Sequence, residues 1–465
     1  MIDLETKESL LLHAKKLENK RFKDIGSPDA WKKYGFKARV GHLIEEEHFG
    51  YAINSVQGPD FEDLNIELKT TPVKKNKNNT YSAKERLVLN IINYESEVSK
   101  TFESSSFWTK NQNLLILFYL HDDTIPFEMR KILRALLYDY PKKDLIIIKN
   151  DWKIITDKIK SGKAHEISEG DTMYLGACTK GATSKSVRSQ PFSSIMAKQR
   201  AFSLKQSYMT QLVRKKNITS EAVKADDILY NSDFETALYH KLKPYFGMTQ
   251  STLKTMYKVE STAKNLNEIL VAKMLGIDGK VSKSEEFMKA NIVPKTIRVN
   301  ADESINEHMS FKTFKYTDII KEDWDESELR NMFESTKYLF IVFQFNNHND
   351  LVFKGIKLWN MPVNVLDNEV KSVWMKTKTL IESGTIVKSV SPKGVRQTYF
   401  PKATENPVSH VRPHAKNALD TYPLPTKEVL TDAQDYTKHC FWLNKEYIYS
   451  IIQKVLSKAR KEDNL

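Results

Sequence analysis

The chain of 465 residues has only two cysteines, Cys178 and Cys440, which excludes a disulfide framework or a cysteine-rich zinc site by count. So low a count suits a reducing cytosol, and the expected location is cytoplasmic. Glycine is scarce, at 15 residues, and neither G-x-x-x-x-G-K-S/T nor G-x-G-x-x-G occurs. A nucleotide-cradling loop is therefore not expected. Long apolar runs are also missing. "LLILFYL" (114–120) and "YLFIVFQF" (338–345) are the longest, far below the roughly 18–20 residues of a membrane span. The opening "MIDLETKESLLLHAKKLENK" reads as an amphipathic helix, not a signal peptide. No membrane partner is expected. Acid, finally, is absent from the whole interval between Asp171 and Glu221.

What is present is positive charge. A formal net charge of +13 and a pI near 9.2 favour an acidic partner, nucleic acid first among them. The apolar share of 40% is ample for packed cores, and the length suggests roughly two or three domains.

The chain repeats itself. With Gly50 on Gly276, an offset of 226, Phe61 meets Phe287, Asn65 meets Asn291, Ile66 meets Ile292 and Lys69 meets Lys295. At an offset of 222, Tyr94 meets Tyr316, Trp152 meets Trp374 and "IKSG" (159–162) meets "IESG" (381–384). "AFSLKQSY" (201–208) meets "CFWLNKEY" (440–447) at 239. Order is kept and the offset drifts as loop insertions would make it. This predicts two tandem copies, 1–218 and 228–465, joined by the polar stretch 217–227. In the first copy "LNIELKTTPV", "RLVLNIINY", "NLLILFYL" and "DLIIIK" read as strands among helices, giving a mixed α/β class.

The copies differ where chemistry would sit. "GPDFEDLNIELKTTPVK" (58–74) holds Asp60, Glu67 and Lys69, and "GHLIEEEHFG" (41–50) adds Glu45. The second copy has Glu286 for Asp60, Val293 for Glu67 and Val271 for Glu45, and only the lysine persists, as Lys295. Period-2 alternation puts Glu67 and Lys69 on one face of a strand, and Asp60 returns on a neighbouring strand or turn. Converging carboxylates, with the Leu68 carbonyl, suit magnesium, a hard cation that prefers oxygen and assists phosphodiester hydrolysis. An ordinary solvated face is the alternative, and loss of the acids to valine in the second copy argues against it.

In the acid-free interval lie Lys180, Lys185, Arg188, Lys198, Arg200, Lys205, Arg214, Lys215 and Lys216, interleaved with hydroxyls and amides. Such a run suits phosphates and base edges; a solvated basic face is the plainer reading. "HVRPHAKN" (410–417) is its basic counterpart. "FNNHND" (345–350) reads as a hairpin turn rather than a histidine nuclease motif, and "KKNKNN" (74–79) as a polar loop. His13, His165 and His240 stand without metal-ligand spacing.

"GPDFEDLNIELKTTPVK", "SAKERLVLNIINYE" (82–95), "SGKAHEISEG" (161–170), "ACTKGA" (177–182) and "AKQRAFSLK" (197–205) together resemble the Sau-type GATC-cutting restriction endonucleases. These are relatives of the mismatch-repair nicking enzyme MutH, and the resemblance spans nearly the whole chain. It implies a restriction-endonuclease-like core in each copy, a mixed central sheet flanked by helices. It further implies a magnesium-dependent type II endonuclease of the PD-(D/E)xK class, acting on double-stranded DNA at GATC. The first copy would cut, and the second would bind another site as an allosteric effector. The matching catalytic and metal positions are Glu45, Asp60, Glu67 and Lys69, with Leu68 as a further metal ligand. Base reading would fall to Lys180, Gly181, Ser203 and Lys205. In the effector copy the corresponding residues are Arg412, His414, Trp442 and Asn444. The helix "GHLIEEEHFG" is one residue longer between its glycines than the pattern, and spacing from Gly41 selects Glu45 over Glu46. Ser203 stands where MutH has a tyrosine, so no response to adenine methylation carries over. Pairing of two chains on DNA would let one active copy cut each strand. The rival readings are a MutH-like strand-nicking repair enzyme and a non-catalytic sequence-specific DNA-binding protein.

Overall fold

The computed structural model describes residues 5–27, 30, 39–51, 58–181, 186–214, 234–263 and 265–463. The expected linker at 217–227 lies outside the described residues. Two compact units divide the chain: Met1–Phe234 with Lys283–Asn291, and Glu235–Ser282 with Ile292–Leu465. The class is mixed α/β, as expected.

In the first unit β1 (Ile66–Lys75), β2 (Tyr81–Ala83), β3 (Leu87–Ile91), β4 (Asn113–Leu120) and β5 (Ile132–Asp139) follow one another. One sheet runs in the order β2-β1-β4-β5, with β1 and β4 parallel and the other pairs antiparallel. The central strand β4 is the run "LLILF", buried throughout from Leu114 to Phe118, as a strand covered on both faces must be. A second sheet, β3-β9-β6, is made with β6 (Leu175–Thr179) and β9 (Arg200–Leu204), and between them in sequence β7 (Val187–Gln190) and β8 (Ser193–Lys198) form a separate hairpin.

"DLIIIK", expected as a strand, lies instead in the helix Lys142–Lys160. Extended over the following residues, its buried positions fall at Ile147, Ile148, Asp151, Trp152, Ile155 and Ile159, the spacing of a helix face, while Ile146 points to solvent. Six apolar-rich residues are too few to separate the two periods.

The second unit holds β10 (Ile292–Val299), β11 (Met309–Thr313), β12 (Lys337–Phe345), β13 (Leu351–Trp359), β14 (Val387–Val390) and β15 (Arg396–Thr398). β16 (Ser409–Pro413), β17 (Thr421–Pro423), β18 (Asp435–Thr437) and β19 (His439–Leu443) complete it. Its three-stranded sheets are β10-β12-β13, with β10 and β12 parallel, and β11-β19-β16, beside the two-stranded β14-β15 and β17-β18. "FNNHND" turns between β12 and β13, where the Asn346 N–H donates to the Asp350 carbonyl at 2.9 Å.

Local devices recur at the sequence offsets. Asn65 before β1 and Asn291 before β10 both adopt φ 53°. Ser105 and Ser327 cap helices by accepting from the N–H of Trp108 and Arg330. The Tyr94 hydroxyl donates to the Lys198 carbonyl and that of Tyr316 to the Thr437 carbonyl. No helix among the described residues is long and apolar enough to cross a membrane.

Gly162 ends the helix Lys142–Lys160 at φ 68°, and a Cβ there would sit 2.6 Å from the Phe192 carbonyl oxygen. Gly50 has φ 74° with nothing within 4 Å. Gly50→Ala should cost about 1 kcal/mol of stability and Gly162→Ala roughly 3 kcal/mol, because only the second adds overlap to left-handed strain. Denaturant titration of the two variants checks the difference.

Candidate active site

Three backbone features draw the acidic residues together. The helix Arg39–Ile44 passes into a π-helical turn, Glu45–Phe49, closed by Gly50 in the left-handed region. A π turn absorbs one extra residue without breaking the helix, which accounts for the added length between Gly41 and Gly50. Second, Phe61 and Ile66 exchange backbone hydrogen bonds at 2.9 and 3.1 Å around the tight turn Glu62–Leu64 and left-handed Asn65. That closure lays Asp60 beside β1. Third, alternation along β1 directs Glu67 and Lys69 to one face.

The side chains lock as a consequence. The Leu68 N–H donates to Asp60 Oδ2 at 2.8 Å, and the Asp60 N–H donates to Glu67 Oε2 at 3.2 Å. Lys69 Nζ donates to Glu67 Oε1 at 2.5 Å, and Lys110 Nζ stands 3.6 Å from the same oxygen. Glu67 is only 2% exposed. Burial, then repulsion from Asp60, raises the Glu45 carboxyl above its ordinary value, with Lys69 and Lys110 opposing. Burial likewise raises Glu67, Lys69 opposing and Asp60 adding to the rise. The Tyr51 hydroxyl is buried without a hydrogen-bond partner, and burial plus Asp60, Glu45 and Glu67 push its pKa far up.

Glu45, Asp60, Glu67 and Lys69 thus share one electrostatic site, and it includes two groups that sequence reasoning missed. Lys110 arrives on the helix Ser106–Asn111 that leads into β4, the parallel neighbour of β1. Tyr51 follows the π turn directly. Neither belongs to a spaced motif, so only the β1–β4 pairing and the helix's exit reveal them. Among the described residues, no three His, Cys, Asp or Glu are gathered closely enough to form a metal site on their own. The donor set nevertheless fits a hard divalent cation: oxygen ligands only, and crowded carboxylates whose ionisation a cation would favour.

The base-reading candidates separate. Lys180 and Gly181 are exposed just past β6, where the Lys180 N–H donates to the Gln199 carbonyl at 2.8 Å. Ser203 is fully buried in β9 opposite Gly176, and Lys205, 2% exposed, donates to the Thr172 carbonyl at 2.6 Å. Arg200 is buried too, donating to the Ala177 carbonyl. Lys185, Lys215 and Lys216 lie outside the described residues. In the second unit Arg412 lies over the Trp442 ring at 5.4 Å and His414 meets it edge-on at 5.5 Å. Asn444 is buried behind them, donating to the Asn406 and Ala403 carbonyls and bonded to His410 Nδ1 at 2.6 Å. His13, expected to stand alone, stacks on His48 with ring centroids 4.2 Å apart.

Residues 49–151 match the family model described as DNA mismatch repair enzyme MutH. The chain is 36% identical to the type II restriction enzyme Sau3AI of Staphylococcus aureus, over 97% of this chain and 99% of that one. It is 34% identical to the DNA mismatch repair protein MutH of Shewanella woodyi, over 32% of this chain and 63% of that protein. With MutH of Pasteurella multocida the identity is 26%, over 39% and 82%.

An acid whose folded-state pKa is raised keeps a proton that the unfolded chain releases. The stability it contributes is present at low pH and is lost as pH rises from the ordinary carboxylate value, 4.5 for Glu45, through the raised one. In the absence of divalent metal, Glu45→Gln should therefore melt higher than the parent at pH 7.5, the gap closing toward pH 4.5. Thermal melts at both pH values check this; a variant that melts no higher at pH 7.5 contradicts it.

Proposed function

The chain belongs to the family of type II restriction enzymes related to MutH, and from that premise we propose that it hydrolyses both strands of DNA at GATC with magnesium. Site-specific cleavage of DNA is the activity the family carries. The observation that supports this catalytic assignment best is the locked Asp60–Glu67–Lys69 group on β1, with Glu45 facing it.

In this proposal Glu45, Asp60, Glu67 and the Leu68 carbonyl hold the cation. Bound there, it supplies charge neutralisation and Lewis acidity at the scissile phosphate. The protein's own groups do the rest. The backbone N–H of Leu68 orients Asp60, and the Asp60 N–H orients Glu67, so both carboxylates are positioned before the substrate arrives. Lys69 orients the attacking water and opposes the negative charge that grows on the phosphate. Lys110, the second ammonium beside Glu67, adds to that opposing charge. Lys180 and Gly181, exposed at the end of β6, are the groups best placed to meet base edges. Ser203 and Lys205 support the strand from which that loop emerges.

Two tandem copies, a cutting copy at 1–218 and an effector copy at 228–465, are part of the same proposal. Matching strand order, parallel β1–β4 and β10–β12 pairs, and repeated caps and turns support it. So does the register that sets Ser203 opposite Gly176 in one unit and Trp442 opposite His410 in the other. The effector copy would read a second GATC through Arg412, His414 and Trp442. One set of carboxylates per chain further implies that two chains meet on DNA to cut both strands.

Magnesium-dependent digestion of linear duplexes carrying one or two GATC sites tests the reading. Cuts confined to GATC and faster on the two-site duplex are expected, and cuts elsewhere overturn the specificity. Glu67→Ala should abolish cleavage while DNA binding survives; retained cleavage removes the metal-site assignment. Lys180→Ala should lose about 1–3 kcal/mol of discrimination between GATC and unrelated duplexes. Equal loss on both would make Lys180 a backbone contact.

A further inference from the structure

Lys295 is the one member of the catalytic group that the second unit keeps, and its surroundings have changed around it. On β1, Lys69 donates to Glu67 at 2.5 Å; on β10 the matching position is Val293. Among the described residues Lys295 has no carboxylate and no hydrogen-bond acceptor, only the Phe311 ring 5.9 Å from its Nζ. Burial alone lowers its pKa, with no opposing charge to restore it. A half-buried ammonium without a partner is unfavourable, and an anion entering beside it would offset that cost.

The space beside it suits that anion. A cavity of about 190 Å³ opens between β10 and β11, with Lys295, Thr296, Arg298, His308 and Ser310 in its lining. Glu307 is its acidic lining residue, and Arg298 pairs with it at 2.7 Å. His308 Nδ1 accepts the Lys445 N–H at 3.0 Å, so a neutral ring carries its hydrogen on Nε2 and presents a donor. Ring contacts link its His308 to the candidate reading patch. His308 meets His410 edge-on at 4.6 Å, His410 stacks on Trp442 at 6.3 Å, and Trp442 carries Arg412 and His414.

We infer that this cavity holds a backbone phosphate of the DNA bound by the second unit, with Lys295 as its principal cation and Ser310 and His308 as neutral donors. The inference rests on the proposal that the second unit binds DNA, and it adds where the backbone is gripped. A lysine that opposes charge at the cutting site becomes, without the carboxylates, a lysine that keeps the phosphate intact.

The test uses the full-length chain, with Glu67→Ala as background so that DNA survives, and a GATC duplex too short for both units to share. Titration of the parent gives the number of duplexes bound per chain, and salt-dependent anisotropy gives the slope of log K against log salt for each. Two classes of bound duplex are expected, one held by each second unit and one shared by the first units of two chains. Lys295→Met should lower the slope of one of them by about 0.9 and weaken it about fivefold near 0.15 M salt, equally on GATC and unrelated sequence. Lys295→Met should also melt no lower than its parent without DNA, since it removes an unpaired ammonium and keeps the side chain's bulk. Both classes present with unchanged slopes in a folded Lys295→Met chain would overturn the phosphate site and leave the effector reading standing. A single class of bound duplex, held by the first units alone, would overturn both. A loss confined to GATC would overturn the backbone assignment and make Lys295 a base-reading group.

Discussion

The structure around β1 is governed by a conflict between carboxylates that repel one another and backbone donors that hold them together. Asp60 and Glu67 are tied by two N–H groups, those of Leu68 and Asp60, and Glu67 is further held by Lys69. An unsupported pair of buried carboxylates would neutralise one member or splay apart. Here the turn Glu62–Leu64 and left-handed Asn65 bring donors and acceptors into register, so the strain of crowding is stored in a rigid element. The π turn that presents Glu45 belongs to the same solution, since it adds a third carboxylate from outside the sheet. Burial and repulsion raise the Glu45 and Glu67 carboxyls, and a cation entering between them would favour their ionised forms.

The second unit shows what remains when that conflict is removed. β10 keeps the parallel pairing with its neighbour and the left-handed asparagine before it, but hydrophobic Val293 stands where Glu67 would be. Its core is at least as complete: Tyr338 to Phe343 on β12 are all buried. Scaffold and chemistry are therefore separable in this fold. β10 forms with its strand pairing and turn in place and without the acids that β1 carries.

Much of this was legible in the sequence because the relevant spacing was local. Glu67 and Lys69 share a face by simple alternation, Asp60 returns through a short turn, and the self-alignment anticipates offsets that reappear in the turns and caps. Legibility stopped where long-range pairing decides. Lys110 reaches Glu67 because β4 pairs parallel to β1, and nothing near residue 110 signals it. The inward course of Arg200 and Lys205 is equally hidden, since an acid-free run reads as one basic surface until β9 is seen paired on both edges. "DLIIIK" failed for the opposite reason: it is too short for its period to declare itself, and the helix is visible only with Asp151 through Ile159 included.

Lys69 and Lys295 stand at the same strand position and differ in what surrounds them, which sets what each can do. An ammonium in contact with a carboxylate has its charge largely answered within the protein, and its contribution is felt where new negative charge develops on a substrate. An ammonium without such a partner has its field unanswered until an anion enters, so its contribution is to binding itself. On the proposed reading, removing Glu67's counterpart would convert the position from one that favours a transition state to one that favours a ground state. Uniform binding does not accelerate chemistry, and a unit that grips DNA firmly without acids has no route to cutting it. On the proposed reading, such a chain would hold one duplex segment in place while its other unit supplies the carboxylates, a division of labour set by which residues flank one lysine.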